Sequence, residues 1–264
     1  MNMLHHMVSG NARGPEILFL HGFMGSVADW REVTAAVDGS YRCLAVDLPG
    51  HGASLDLPYP EAYTVAGAAR ALLDLLDELN VERPVVVGYS MGGRLALYLA
   101  LRHPERCSGL FLESASPGIE DAAERDARRE ADEEKAMRLE SDDFRAFLAD
   151  WYRQPLFASL PRHEGLMERI VDARRRNDPR ELARSLRGMG AGSQPSLWAD
   201  LGRLEAPALA VAGALDEKYV GISRRMAALN PRLCAVLFAD AGHNVHLEAP
   251  EAYLALLQDF LDYS

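Results

Sequence analysis

The sequence predicts an α/β chain, a mostly parallel sheet covered by helices and interrupted once by a helical insertion. Three observations carry this. Short apolar runs alternate with amphipathic segments along most of the chain. One β-branched run ends in a glycine-flanked serine that opens a helical pattern. The stretch 117–198 breaks the alternation, with no strand-like run and a high density of charge, Ala and Leu.

The elements follow in order. The runs Ile17–Leu20, Cys43–Val46, Val85–Gly88, Leu110–Leu112, Leu209–Ala212 and Ala235–Phe238 read as strands. Val65–Leu79 reads as a helix because Leu72, Leu73, Leu76 and Leu79 fall on one face. The same periodicity recurs at Gly92–Arg102 and Glu251–Leu261. The expected organisation is a core built from residues 1–116 and 199–264, with residues 117–198 as a helical cap. Such a lid excludes water and supplies specificity contacts.

Composition narrows the function classes. The chain has 264 residues, 28 Lys plus Arg against 39 Asp plus Glu, and a net charge of −11. That balance disfavours nucleic acid or an anionic membrane as a general partner, since both need a positive footprint. Length alone allows a large core, so no metal, cofactor or disulfide is expected for folding. The three cysteines, Cys43, Cys107 and Cys234, lie in or beside apolar runs and form no CxxC pair, so they read as small buried hydrophobes. Met1 to Gly14 contains no apolar region of signal-peptide length, and Leu95–Leu101 is too short to span a bilayer. The expectation is a cytoplasmic protein with no membrane insertion.

The most informative segment is Gly88-Tyr89-Ser90-Met91-Gly92, a G-x-S-x-G match placed between a strand and a helix. A sharp turn there forces the serine into a strained backbone conformation, and the glycines let strand and helix pass closely. The Met91 N–H, at the helix N-terminus, then faces any developing oxyanion. Serine needs a histidine to take its proton. In this architecture the acid and then the histidine follow in chain order. His243, after the last strand, is the expected partner, with His246 as its competitor. Asp216, at the end of the strand before, is the expected acid, with Glu113 as the alternative. Asp240 reads as a turn residue. The loop Leu20-His-Gly-Phe-Met-Gly25 offers the Phe23 N–H as a second oxyanion donor, and Asp47-Leu-Pro-Gly-His-Gly52 reads as a structural turn.

Together these segments resemble the α/β-hydrolase superfamily over essentially the whole chain. A narrower resemblance rests on Gly88-Tyr-Ser-Met-Gly-Gly-Arg94, Glu113-Ser-Ala-Ser-Pro-Gly118, Trp151-Tyr-Arg-Gln-Pro-Leu-Phe157 and Gln194-Pro-Ser-Leu-Trp198. These look like the MenH family of menaquinone biosynthesis, the 2-succinyl-6-hydroxy-2,4-cyclohexadiene-1-carboxylate synthases. The resemblance implies a cofactor-free lyase acting on a small tricarboxylate, with Ser90 serving as a base rather than a nucleophile. It also implies Tyr89, Arg94, Arg128, Trp151 and Arg174 as substrate-binding residues. Arg175 and Arg176 stand beside Arg174, and Pro161–Asp172 departs from the family pattern, which loosens that register.

The residues give independent support through their charge. Arg94 lies four positions after Ser90, one helical turn along the same side, where a guanidinium is costly unless an anion pairs with it. Fourteen arginines fall between Asp121 and Arg187, and arginine suits bidentate carboxylate binding. A serine hydrolase cleaving esters or C–C bonds on the same scaffold is the alternative function. A non-catalytic binding protein would leave the Ser, Asp and His set unexplained.

Overall fold

The computed structural model describes residues 4–263. Seven strands form one sheet: β1 (His6–Gly10), β2 (Glu16–Leu20), β3 (Arg42–Val46), β4 (Val85–Tyr89), β5 (Gly109–Glu113), β6 (Ala208–Gly213) and β7 (Leu233–Phe238). Their order across the sheet is β1-β3-β2-β4-β5-β6-β7. Only β1 runs antiparallel, pairing from His6 opposite Val46 to Gly10 opposite Arg42. The six runs read from the sequence all lie within strands. β1 was not among them, because its residues are half-buried or exposed and make no apolar run.

Side-chain alternation sends neighbouring residues into two different cores. Leu18, Leu44, Val86 and Leu110 pack with leucines of α2 (Val65–Glu78) and α3 (Met91–Arg102). Ile17, Phe19, Val87 and Phe111 pack on the other face with Val33 of α1 (Arg31–Val37) and with Tyr253 and Phe260 of α10 (Pro250–Asp262). The central strands β4 and β5 are buried throughout, as expected for parallel strands covered on both sides. On α2, Leu72, Leu73 and Leu76 are buried as their spacing predicts, and Leu75 joins them. Cys43 and Cys107 are buried. Cys234 is exposed, which corrects the expectation for it: it sits on the edge strand β7, most of whose residues are only half-buried.

Between β5 and β6 lie α4 (Ala122–Ser141), α5 (Phe144–Tyr152), α6 (Leu166–Arg174) and α7 (Pro179–Met189), with no strand among the described residues. Aspartate side chains begin three of them: Asp121 accepts from Glu124 N–H, Asp143 from Ala146 N–H, and Asp178 from Arg180 N–H ahead of Pro179. These helices share a small core of their own around Phe147, Leu148, Ile170 and Leu182, to which Met24 of the sheet domain contributes. Beyond β6 come α8 (Glu217–Leu229) and, after β7, the short α9 (Val245–Glu248). No helix of the described residues is long and apolar enough to cross a membrane.

One buried ion pair ties the inserted helices to the sheet. Arg174 at the end of α6 donates from Nη1 to Asp29 Oδ1 at 2.6 Å, with side chains only 6% and 11% exposed. Nearby, Asn177 donates to the Met24 carbonyl at 2.8 Å. Burial would raise the Asp29 carboxyl, but the Arg174 charge and hydrogen bond outweigh it and hold Asp29 below its ordinary value. Asp29→Asn would leave the guanidinium buried without its counter-charge, a loss of roughly 3–5 kcal/mol measurable by urea unfolding at neutral pH. Because the folded-state value is depressed, this contribution is fully present above the unfolded value of about 4 and drains away at lower pH. The stability gap between parent and variant should therefore narrow as the pH falls below about 4. A gap independent of pH would show that the charge is not what matters.

Candidate active site

β4 ends at Tyr89 and α3 begins at Met91, leaving Ser90 alone to make the turn. Its backbone sits at φ 48°, ψ −106°, outside the regions comfortable for a residue with a Cβ. Such a conformation costs on the order of 1–3 kcal/mol and must be held by its surroundings. Here the Ser90 N–H donates to the Glu113 carbonyl at 2.8 Å, and its own carbonyl accepts from Arg94 N–H at 2.9 Å. Close packing does the rest. A Cβ on Gly88 would lie 2.7 Å from the Gly92 carbonyl oxygen, and one on Gly92 would lie 2.2 Å from the Leu20 carbonyl oxygen.

The hydroxyl so presented meets two residues from distant parts of the chain. His243 Nε2 lies 3.1 Å from Ser90 Oγ, and its Nδ1 lies 2.7 Å from Asp216 Oδ2. With a carboxylate at Nδ1, that nitrogen carries the ring proton, and Nε2 is left to accept from the serine. Asp216 follows β6 and also begins α8, accepting the Tyr219 N–H at 3.3 Å. The rings of Tyr219, Tyr89 and Phe157 surround the imidazole at centroid distances of 4.8, 5.5 and 6.1 Å.

The competitors are placed elsewhere. His246 turns away into the core, its Nδ1 2.9 Å from Glu113 and its ring stacked 5.1 Å from Trp30. Glu113 also accepts the His246 N–H at 3.1 Å, so this acid is committed to the wrong histidine for the serine. Asp240 is an exposed turn residue.

Beside Ser90 opens a cavity of about 560 Å³. Met91 and Phe23 border it next to the serine. Met91 is the first residue of α3, so its N–H has no acceptor within the helix. The loop carrying Phe23 is fixed by His21, whose Nδ1 donates to the Gly22 carbonyl at 2.7 Å while Nε2 accepts the Leu48 N–H at 3.0 Å. Burial lowers the His21 pKa, consistent with a neutral ring making both bonds. Asp47 supports the same region by accepting from Val27 and Ala53 N–H at 2.7 and 2.9 Å, which gives the 47–52 turn its structural role.

Positive charge lines the far wall. Arg94 donates to Gln194 Oε1 at 2.9 Å and to the Met189 carbonyl at 2.8 Å. Both partners are neutral, and burial pushes the guanidinium down to about 10. Arg128 reaches the cavity while paired with Asp132 at 2.7 Å, and Trp151 contributes its ring. Two further cations, Lys135 and Lys218, border the same space and were missed in the sequence. Lys135 lies seven residues after Arg128, two turns along one face of α4, and Lys218 lies two residues after Asp216, so spacing could have found both.

Two expected substrate contacts are not on this wall. Tyr89 is packed behind the site, its ring between those of His243 and His246 and pressed against Gly22. It is the residue before the turn, and alternation along β4 points it into the core. Arg174 is consumed by Asp29 and touched by Tyr152 at the base of the inserted helices. Its neighbours do not replace it, since Arg175 and Arg176 are exposed, the former near Asp172 at 3.6 Å.

Comparison with known proteins places the chain in a family. The family model for the alpha/beta hydrolase fold matches residues 15–250. A 2-succinyl-6-hydroxy-2,4-cyclohexadiene-1-carboxylate synthase from Serratia proteamaculans is 36% identical over 253 residues, covering 96% of this chain and 95% of the relative. Protein PHYLLO, chloroplastic, from Arabidopsis thaliana is 33% identical over 97% of this chain, which spans 16% of that much longer protein. The structure of MenH from S. aureus superposes with a TM-score of 0.94 and 32% identity, covering 99% of both chains. The chain belongs to the α/β-hydrolase fold family and, within it, to the 2-succinyl-6-hydroxy-2,4-cyclohexadiene-1-carboxylate synthases, the MenH proteins.

Proposed function

We propose that the chain is a carbon–oxygen lyase of menaquinone biosynthesis, converting 2-succinyl-5-enolpyruvyl-6-hydroxy-3-cyclohexene-1-carboxylate to 2-succinyl-6-hydroxy-2,4-cyclohexadiene-1-carboxylate and pyruvate. The observation that carries the reading is Arg94. It is a half-buried guanidinium whose hydrogen-bond partners are neutral, one helical turn from Ser90 on the wall of the same cavity. A substrate carboxylate supplies the missing counter-charge. A scaffold built for neutral esters would bear the cost of that burial without return.

In this reading His243, oriented by Asp216, draws the proton from Ser90, and the serine oxygen removes the proton on the ring carbon next to the succinyl carbonyl. Negative charge develops on that carbonyl oxygen, where the Phe23 and Met91 N–H groups receive it. The electrons then move through the ring. The new C2–C3 double bond forms as the C3–C4 double bond shifts to C4–C5, and the C5–O bond breaks. The enol of pyruvate leaves with that oxygen, takes up the abstracted proton and tautomerises. No covalent bond between serine and substrate is needed.

Arg94, Arg128, Lys135 and Lys218 offer several cations to a substrate bearing three carboxylates, and Trp151 offers a flat apolar surface to the ring. Residues 117–198 act as a cap over the site. Tyr89 and Arg174 act from behind, as packing for His243 and as the tie between cap and sheet.

Pyruvate release from the enolpyruvyl tricarboxylate, with a panel of aryl esters run alongside, tests the reading directly. Fast ester cleavage without pyruvate would favour a serine hydrolase. Ser90→Ala and His243→Ala should each lower turnover by roughly 10⁴-fold, as for groups that act as a unit, with little change in the melting temperature. Near-parental turnover in either variant contradicts the assignment. Arg94→Ala should lose about 1.5–3 kcal/mol of transition-state binding, seen as a fall in kcat/KM. Arg94→Lys should restore little of it, because an ammonium cannot reproduce the fork held by Gln194 and Met189. Parental kinetics in Arg94→Ala would remove this residue from the substrate site.

A further inference from the structure

The loop that carries His243 is held by atoms outside the imidazole. Glu248, at the end of α9, accepts the Gly242 N–H at 2.9 Å on one carboxylate oxygen and the Asn244 N–H at 3.1 Å on the other. These are the residues immediately before and after the histidine. Just beyond β5 the Ser114 hydroxyl donates to the His243 carbonyl at 2.8 Å. The peptide that follows His243 is thus held at both its carbonyl and its N–H, and the Gly242 N–H is held one peptide further back, which together restrict the direction in which the His243 side chain leaves the backbone.

The Glu248 side chain is fully buried. A carboxylate in that position is retained at a cost unless its oxygens are used, and here both are used on one loop. Among the described residues the ionisable group facing it is His163, whose Nε2 lies 3.7 Å from Oε2. That nitrogen is buried and has no hydrogen-bond partner. His163 follows the short turn Leu160–Arg162 of the inserted segment. Ser159 of the same segment packs against Gly242, where a Cβ would lie 2.0 Å from its hydroxyl oxygen.

We propose that Glu248 is a positioning residue for the base: its carboxylate clamps the two N–H groups that bracket His243 and so sets the imidazole within reach of Ser90. The proposal rests on the reading of Ser90, His243 and Asp216 as the catalytic groups. Glutamine at this position would present one acceptor and one donor, so one of the two N–H groups would face an NH₂ and the loop would have to shift. Aspartate would keep the charge but, shorter by one methylene, could not reach both N–H groups at once. A misplacement of about 1 Å can cost on the order of 100-fold in rate.

A pH profile separates this role from general stability. The groups facing the imidazole are Ser90, Asp216, Tyr89 and Tyr219. Arg94 and Lys218 stand on the cavity wall, the Glu113–His246 pair lies on the core side of the same loop, and His163 faces Glu248. Glu248→Gln alters none of these charges and removes one nearby anion, which disfavours the imidazolium.

The test measures pyruvate release by Glu248→Gln and Glu248→Asp in the full chain, with thermal melts, and with Ser90→Ala and His243→Ala as controls. In Glu248→Gln, kcat should fall roughly 10–100-fold, KM should stay within about twofold, and the acid limb of the kcat profile should move to lower pH. Glu248→Asp should lose kcat while keeping the parental acid limb. If Glu248→Gln does not fold, Glu248→Asp decides alone. Parental kcat in either folded variant, or a loss confined to KM, overturns the proposal. Inactive controls beside active Glu248 variants would sink this proposal only, whereas an active Ser90→Ala would sink the reading beneath it.

Discussion

The turn at Ser90 is the constraint on which the rest of the structure depends. A strand and a helix meet with one residue between them, and that residue is held at φ 48°. The conformation persists because Gly88 and Gly92 leave no room for relaxation and because the Glu113 carbonyl holds the Ser90 N–H. The consequences are geometric. The hydroxyl stands clear of the sheet, the first N–H of α3 is free beside it, and Arg94 falls one turn further along the same side. Asp216 and His243 come from the loops after β6 and β7, beyond the carboxyl ends of the last two strands across the sheet, so a parallel sheet delivers all three groups to one rim.

Buried charge is used in two different ways in this fold. Arg174 is matched by Asp29, a closed pair that anchors the inserted helices and leaves little for a ligand. Arg94 is matched by an amide and a peptide carbonyl, which satisfy hydrogen bonds without neutralising charge. The first arrangement stabilises the chain by itself. In the proposed function the second gains its counter-charge from a substrate carboxylate, and that difference in partners is what sets the two arginines apart.

Much of this could be read from the sequence, and the reasons for the exceptions are physical. Strands covered on both faces are continuous apolar runs, so six of the seven were visible. β1 lies at the edge with Met7 and Val8 about half exposed, and its short segment carries no such signal. Ser90, Asp216 and His243 were legible because chain order and strand ends specify them without knowledge of contacts. Tyr89 and Arg174 lie off the cavity wall, because a family pattern gives a position but not the partner that captures a side chain. Lys135 was within reach of helical spacing and Lys218 of its nearness to Asp216, but both were hidden among many charges. Glu248 gave no signal of its own, since its work is done on backbone N–H groups that a sequence does not display.

The loop after β7 carries two histidine–carboxylate pairs, and their division of labour explains why only one faces the serine. His246 and Glu113 form a buried pair that also takes the His246 N–H and stacks on Trp30, so one end of the loop is nailed to β5 and the core. His243 and Asp216 form the other pair, closed on one side by the carboxylate and open on the other toward Ser90. Ser114 and Glu248 hold the peptide just after His243, and Glu248 also holds the Gly242 N–H just before it. In the proposed mechanism an imidazole that must meet the serine hydroxyl within a few tenths of an ångström gains from such over-determination, because the ordering cost is met on folding rather than in each turnover. The inner pair is therefore the scaffold of the outer one, and exchanging their roles would leave the serine facing an imidazole that the core cannot release.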